Sequence, residues 1–368
     1  MLSKNQLHEV ALTFIPLVGA VTARTLVSYC GSAEAVFRAS KRELLNIPGI
    51  GPTIADSILS PEPLRRAEGE IEYMAAHGIE AIFYTDERFP LRLRQLPDAP
   101  SLLYFRGSSA EVLSAERVVA IVGTRQPTEH GKAICEELVE DLKPYNALIV
   151  SGLAYGIDVT AHKKANAVGL PNIGVLGNGL GRLYPAAHQS VAQKMLENGG
   201  LLSEYPHATP PDREHFPMRN RIIAGLSDCL VVVETGETGG SIISAELAGQ
   251  YDREVFAVPG RPRDPKSIGC NHLIKKEKAR LLESAADLAA VMGWEVEGNR
   301  RAVQTRLLLD LSPAESSIVA AVRARPEIPI DELTLATQLS PGELAALLLG
   351  LEFRGVLRTL PGKRYVLS

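Results

Sequence analysis

Between residues 118 and 290, short apolar runs alternate with polar or glycine-rich loops and with helical patterns. The first run, Val118-Val119-Ala120-Ile121-Val122, is continuously apolar and ends at Gly123. That is the pattern of a strand buried on both faces of a parallel sheet. After it, Ile134, Leu138 and Leu142 share one helical face. The unit recurs at 147–150, 172–176, 201–204, 229–233 and 254–258. Strands alternating with helices predict a doubly wound, mostly parallel α/β sheet with right-handed crossovers. Ligands of such sheets sit at the carboxyl ends of the strands. The unusual residues lie in the strand-exit loops, at 123–125, 151–158, 177–185, 216–221, 234–241 and 259–271, so they are expected to converge on one rim.

The flanks follow different patterns. Ile15, Pro16, Gly19 and Ala23 recur 32 residues later as Ile47, Pro48, Gly51 and Ala55. This resembles a tandem helix–hairpin–helix, in which backbone N–H groups of a Gly-x-Gly hairpin hold a DNA phosphate. Only Gly49-Ile50-Gly51 keeps both glycines, Leu17 taking the first position in the other copy. The segment has no basic excess, and phosphate affinity depends on positive charge. It is expected to be a small all-α packing or protein-contact domain, or at most a weak DNA contact. Residues 81–84, 89–93 and 102–107 are expected as extended segments flanking the main sheet. The polar stretch from Glu295 to Arg306 is expected as a linker. The tail predicts three helices and a hairpin, the third helix opening Ser340-Pro341-Gly342-Glu343 as N-cap, first-turn Pro and capping Glu. This resembles a winged helix-turn-helix, but its helices carry Ala and Leu where a base reader needs basic or amide side chains. A protein-contact role is expected for it. The domains are thus placed at 1–62, 68–292 and 309–368, with a linker at 293–308.

Composition narrows the class. The chain has 368 residues, 45% hydrophobic and 22% charged, a globular balance too long for one ordinary core. No apolar run approaches the length of a membrane span, and no signal core opens the sequence. Cys30, Cys135, Cys229 and Cys270 are widely spaced and form no Cys-x-x-Cys pair. A reducing cytoplasm and no zinc site are expected. With a net charge of −4, any nucleic-acid binding must rest on a local patch.

Gly123-Thr124-Arg125 opens a helix with backbone N–H groups, a hydroxyl and a guanidinium, a set that suits a phosphate. An ordinary β–α turn whose Arg caps a neighbour fits that loop equally well. The wider set decides. Val122-Gly123-Thr124-Arg125, Ser151-Gly152-Leu153-Ala154-Tyr155-Gly156-Ile157-Asp158 with Ala161-His162, Tyr184-Pro185, and Ser203-Glu204-Tyr205-Pro206 come in order. Phe216-Pro217-Met218-Arg219-Asn220-Arg221-Ile222-Ile223-Ala224-Gly225-Leu226 and Val258-Pro259-Gly260 follow. Together they resemble the DNA-processing protein A (DprA/Smf) family over about residues 68–290, the arginine run being the most specific element.

The resemblance implies an extended Rossmann-like fold that forms a homodimer and binds and protects single-stranded DNA. It also implies loading of the RecA recombinase onto that DNA in natural transformation, with no catalysis, metal or cofactor. Gly123, Thr124 and Arg125 match the family's phosphate-binding signature. Along the same rim Ser151, Gly152, Gly156, Asn178, Gly179, Tyr184, Arg219, Asn220, Arg221, Gly240 and Ser241 are expected to contact DNA. The family's Lys after Tyr-Pro is Ala186 here, and Tyr155 stands where Arg or Lys is common. Tyr155 and Tyr184 are either base-stacking faces or core tyrosines.

An enzyme is the competing class. Arg182 occupies the last glycine position of a Gly-x-Gly-x-x-Gly read from Gly177, which argues against a dinucleotide. Thr238-Gly239-Gly240-Ser241 with Glu246 resembles the loop of nucleoside-monophosphate phosphoribohydrolases, without its Pro-Gly-Gly. Asp158 and His162 are spaced as an acid–base couple. Asp158 is expected instead at a helix N-terminus, with His162 ordering the loop, and Glu204 and Glu234 are expected to hold backbone amides.

Overall fold

The computed structural model describes residues 4–295 and 311–367, so most of the expected linker lies outside the described residues. The chain divides into two compact units, Met1–Glu283 and Ser284–Ser368. The first holds a nine-stranded sheet of β1 Glu80–Phe83, β2 Leu102–Gly107, β3 Val118–Val122, β4 Leu148–Ser151, β5 Asn172–Val175, β6 Gly199–Ser203, β7 Cys229–Val232, β8 Glu254–Ala257 and β9 Arg280–Leu281. Their order is β1-β2-β6-β5-β4-β3-β7-β8-β9. From β6 to β9 all neighbours are parallel. β2 joins β6, and β1 joins β2, antiparallel. After β3 the chain winds to one side through β4, β5 and β6, then crosses to β7, β8 and β9. The switch point, where a doubly wound sheet opens a crevice, is therefore the exit of β3 and β7.

β3 is central because both its faces are buried. Val118, Ala120 and Val122 enter one apolar cluster, while Val119 and Ile121 alternate to the opposite face and are fully buried. Asp228, just before β7, accepts from Val118 N at 2.8 Å and from Arg92 Nε and Nη2 at 2.7 and 2.9 Å. Such a bidentate pair fixes both position and angle.

Six helices precede the sheet: α1 Lys4–Leu12, α2 Ala20–Cys30, α3 Ala33–Arg38, α4 Lys41–Leu45, α5 Pro52–Leu59 and α6 Glu62–His77. The two hairpins adopt the same backbone. Gly49 has φ +82° and Leu17, in the matching place, φ +64°. Gly19 and Gly51 both cap the next helix in extended conformation. Val10, Leu12, Phe14 and Ile15 from the first copy join Phe83, Leu102, Tyr104 and Leu201 of the sheet in one apolar cluster. The helices thus share a core with the sheet.

The remaining helices of this unit are α7 Leu91–Arg94, α8 Glu129–Asp141, α9 Ile157–Val168, α10 Gln189–Met195, α11 His215–Leu226, α12 Gly240–Gln250 and α13 Ile268–Lys275. The extended segment expected at 89–93 is instead the loop entering α7, one helical turn begun by Pro90. Its Arg92 needs that turn to reach Asp228.

The second unit contains α14 Ala285–Met292, α15 Pro313–Ala324, β10 Ile328–Pro329, α16 Ile330–Thr337, α17 Pro341–Phe353, β11 Leu357–Leu360 and β12 Arg364–Leu367. Its sheet order is β10-β12-β11, so a short third strand completes the wing. Ser340 accepts from Glu343 N at 3.3 Å, with Pro341 in the first turn. Leu335, Leu349 and Phe353 stand exposed on α16 and α17.

Candidate nucleic-acid interface

The exits of β3, β4 and β5 meet at the rim. Thr124 N donates to Glu234 O at 2.7 Å, and Thr124 O accepts from Ile157 N at 3.2 Å. The two exit loops can lie this close because residue 156 is glycine. It has φ +83°, and a Cβ there would stand 2.2 Å from Thr124 O. Arg125 is left pointing outward. Its guanidinium lies 5.6 Å from the centroid of the Phe216 ring and has no ion-pair or hydrogen-bond partner among the described residues. An exposed stack of this kind contributes about 0.5–1 kcal/mol, enough to orient a cation but not to neutralise it.

Aromatic faces surround that guanidinium. Phe216 is tilted against Tyr184 at 5.9 Å. Tyr155 meets His188 edge-on at 4.8 Å, and His188 Nδ1 is 2.8 Å from Leu153 O. Tyr155 and Tyr184 are 49% and 43% exposed, which decides against core tyrosines. Arg125, Tyr155, Tyr184 and Phe216 wall a slot floored by Gly152, Gly177 and Arg219, with only about 20 Å³ enclosed. Ordinary small-molecule sites enclose roughly 300–1,000 Å³. The slot is a surface to lie across.

Several residues expected to contact DNA are instead occupied inside the protein. Ser151 is fully buried and donates to Ile121 O at 2.6 Å. Asn178 donates to Gly179 O and Arg182 O at 2.9 and 2.6 Å, shaping the loop after β5. Gly179 N donates to Thr209 O at 3.0 Å. Asn220 reaches Gly240 O at 3.2 Å, and Ser241 donates to Thr235 Oγ1 at 2.7 Å. Arg221 is ion-paired with Glu204 and donates to Asp98 O at 2.6 Å. Arg219 is 4% exposed, its Nη1 donating to Gly152 O at 2.7 Å and to Val175 O. Burial, opposed by the pull of Asp158 and reinforced by the Arg125 charge, lowers its pKa to about 10. A Cβ at position 152 would lie 2.2 Å from Arg219 Nη1. Arg219, Asn220 and Arg221 all lie on α11, which ties the exit loops after β4, β5, β6 and β7 together, while Ser151, Asn178 and Ser241 are spent on bonds of the loops and strands themselves.

The acid–base candidates resolve similarly. His162 Nδ1 pairs with Asn172 Oδ1 at 2.9 Å rather than with Asp158, and burial pushes its pKa down to about 4. Asp158 accepts from Gly152 N and Ala154 N at 3.1 and 3.4 Å, in the loop before α9. Burial raises its pKa. Glu234 accepts from Thr128 N at 2.9 Å and from its hydroxyl at 2.5 Å, at the N-terminus of α8. Glu204 holds Arg221, not the backbone amides expected of it. Glu246 is paired with Lys278 at 2.9 Å. Phe216 was missing from the expected set. The only signal for it was its place one helical turn before Arg219, which an ordinary core phenylalanine would share.

Comparison with known proteins shows the family and the fold. The chain matches the family model of DNA recombination-mediator protein A over residues 80–293. It matches a helix-hairpin-helix motif over 10–60 and the DprA winged helix domain over 303–363. It is 30% identical to Protein Smf of Synechocystis sp., with 99% of each chain covered. It is 40% identical to DNA processing protein DprA of Bacillus subtilis, over 57% of this chain and 70% of that one. DNA processing protein A from Streptococcus pneumoniae superposes with a TM-score of 0.65 at 30% identity, over 80% of this chain and 99% of that one. The Helicobacter pylori protein, solved for its single-stranded DNA binding mode, superposes with 0.53 at 30% identity, over 59% and 97%.

Proposed function

Because the chain belongs to the DNA recombination-mediator protein A (DprA/Smf) family, we propose that it binds single-stranded DNA across the rim of β3, β4 and β5. The observation that carries this reading is the Arg125 guanidinium, without an ion-pair or hydrogen-bond partner among the described residues and stacked on Phe216 beside exposed Tyr155 and Tyr184. A single strand presents phosphates and base faces together, whereas a duplex keeps its bases stacked inside. Arg125 takes a phosphate, with Gly123 and Thr124 presenting the loop, and the aromatic residues take base faces. Gly152, Gly156, Asn178, Gly179, Arg219, Asn220, Arg221, Gly240 and Ser241 act as the support of that surface.

The strand is held and not cut, then handed to the RecA recombinase in the cytoplasm, as in the uptake of transforming DNA. A shallow surface suits a hand-over, since a second protein can displace the strand step by step. A homodimer sets two such rims on one DNA, and linked sites raise avidity through effective concentration.

Fluorescence anisotropy with single-stranded and duplex oligonucleotides of equal length, across a salt series, tests the binding. The expected result is tighter binding of the single strand, with affinity climbing once an oligonucleotide spans two rims. Equal affinity for both forms, or cleavage of either, rejects the reading. Release of ribose phosphate from AMP in excess of protein would favour the nucleotide-enzyme class instead. Faster RecA filament growth on preloaded strands tests the hand-over separately.

A further inference from the structure

A second concavity opens on the other side of the Tyr184-Pro185 ridge, toward α10 and the antiparallel edge of the sheet. It measures about 380 Å³, inside the range of roughly 300–1,000 Å³ typical of ligand sites. Its floor is apolar, built from Leu176, Leu180, Leu196 and Leu201. Leu176 also lines the slot beneath Arg125, so the two depressions adjoin. Arg106, near the end of β2, and Arg182, in the loop after β5, flank the opening. Neither guanidinium has an ion-pair or hydrogen-bond partner among the described residues. No Asp or Glu lines the groove, so the two positive charges act on it unopposed.

Two amides complete the set. Gln189 and Gln193 line the groove from α10, where a spacing of four residues places them on one face. An amide offers both a donor and an acceptor to a base edge. Ala186, exposed on the lining, puts no long side chain there. An apolar floor for a ring, amides at its edge and unneutralised arginines at the mouth match the parts of a nucleotide.

We propose that this groove holds a further nucleotide of the strand bound at the rim, with Arg182 and Arg106 on its phosphates and Gln189 and Gln193 at the base edge. The inference rests on the single-strand reading of the rim. The strand passes over the Tyr184-Pro185 ridge, from the Arg125 slot into the groove.

The test uses the full chain with oligothymidylates of increasing length, comparing wild type with the R106A/R182A double variant. Both side chains reach the surface, so melting temperatures should agree. For strands long enough to cross the ridge, the double variant should show a salt slope shallower by about 1.4, two phosphates' worth for a single strand. Between 50 and 200 mM salt this corresponds to an affinity loss about 7-fold smaller than that of wild type. An unchanged slope overturns the groove while leaving the rim intact. Failure of the wild-type chain to bind any single strand removes the rim, and the groove with it.

A second measurement on wild type avoids any folding question. Strands carrying 4-thiothymidine should crosslink to the α10 segment that holds Gln189 and Gln193. Crosslinks confined to the Arg125 slot overturn the proposal. So does saturable binding of thymidine monophosphate that fails to compete with the strand, because the groove would then serve a free nucleotide.

Discussion

Substituting Arg125 by Ala removes one cation from the rim and touches little else. The side chain is exposed and, among the described residues, its guanidinium makes only the stack on Phe216, so stability should fall by no more than about 1 kcal/mol. Binding should change in a defined way. Each phosphate neutralised on a single strand contributes about −0.7 to the slope of log affinity against log salt. Loss of that contact makes the slope shallower by about 0.7, so raising salt from 50 to 200 mM weakens the variant about 2.6-fold less than wild type. Arg221→Met is the contrasting case. Arg221 is 7% exposed and holds Glu204, and removing one partner of a buried pair costs about 3–5 kcal/mol. Burial already raises the Glu204 pKa, so uptake of a proton should keep the loss near the lower end. Folded Arg221→Met protein should keep the wild-type salt slope. Anisotropy titrations at several salt concentrations and urea unfolding measure both quantities. A slope unaltered in Arg125→Ala but reduced in Arg221→Met would reverse the division between contact and support.

Four further outcomes test the scaffold. Leu17 is 76% exposed at φ +64°. Leu17→Gly should therefore relieve about 1–2 kcal/mol of left-handed strain and give back about 0.4–1 through unfolded-chain entropy, a net gain read by urea unfolding. Gly152→Ala should destabilise by about 1–3 kcal/mol, because Arg219 is tied to two carbonyls and cannot retreat. Gly69→Ala, mid-helix in α6 with open space around it, should stabilise by about 0.5–1 kcal/mol. His162 stays neutral in the folded chain down to about pH 4, while the unfolded chain protonates near 6.5. The unfolded state therefore binds the extra proton, and stability falls as pH drops from 6.5 toward 4, by about 2 kcal/mol at pH 5. His162→Gln should flatten that part of the stability–pH curve.

The sheet was legible because a strand buried on both faces must be apolar at every position, and β3 is. The repeat of the N-terminal hairpins was legible from four matched residues, and the backbone followed it even where Leu17 replaces glycine. Two things were not legible. Leu91-Arg92-Leu93-Arg94 alternates as a strand does, yet forms a helical turn. Over four residues the two periods are hard to tell apart, and the deciding partner, Asp228, lies 136 residues away. Sharing of one core between the first helices and β2 was equally hidden. Phe14 and Tyr104 carry no mark in sequence that they belong to one cluster.

The convergence of the strand-exit loops was legible, the roles of their residues only partly, and the reason is physical. A glycine or a small polar residue in a strand-exit loop reports that something must approach the backbone closely, without saying what. At Gly152 the close neighbour is Arg219, and at Gly156 it is the Thr124 carbonyl. Both neighbours are parts of the protein. An arginine in such a motif is equally ambiguous, because the same fork of donors fits a carbonyl cage, a carboxylate or a phosphate. What separates Arg125 from Arg219 and Arg221 is the absence, among the described residues, of a carbonyl or carboxylate partner, a property of the folded surface. The same criterion, applied beyond the motif, finds Arg106, which no pattern along the chain singles out, and Arg182, which the sequence marked only as interrupting a glycine motif. Where most polar groups are consumed in holding the loops, the cations left over are the ones the proposed strand could use.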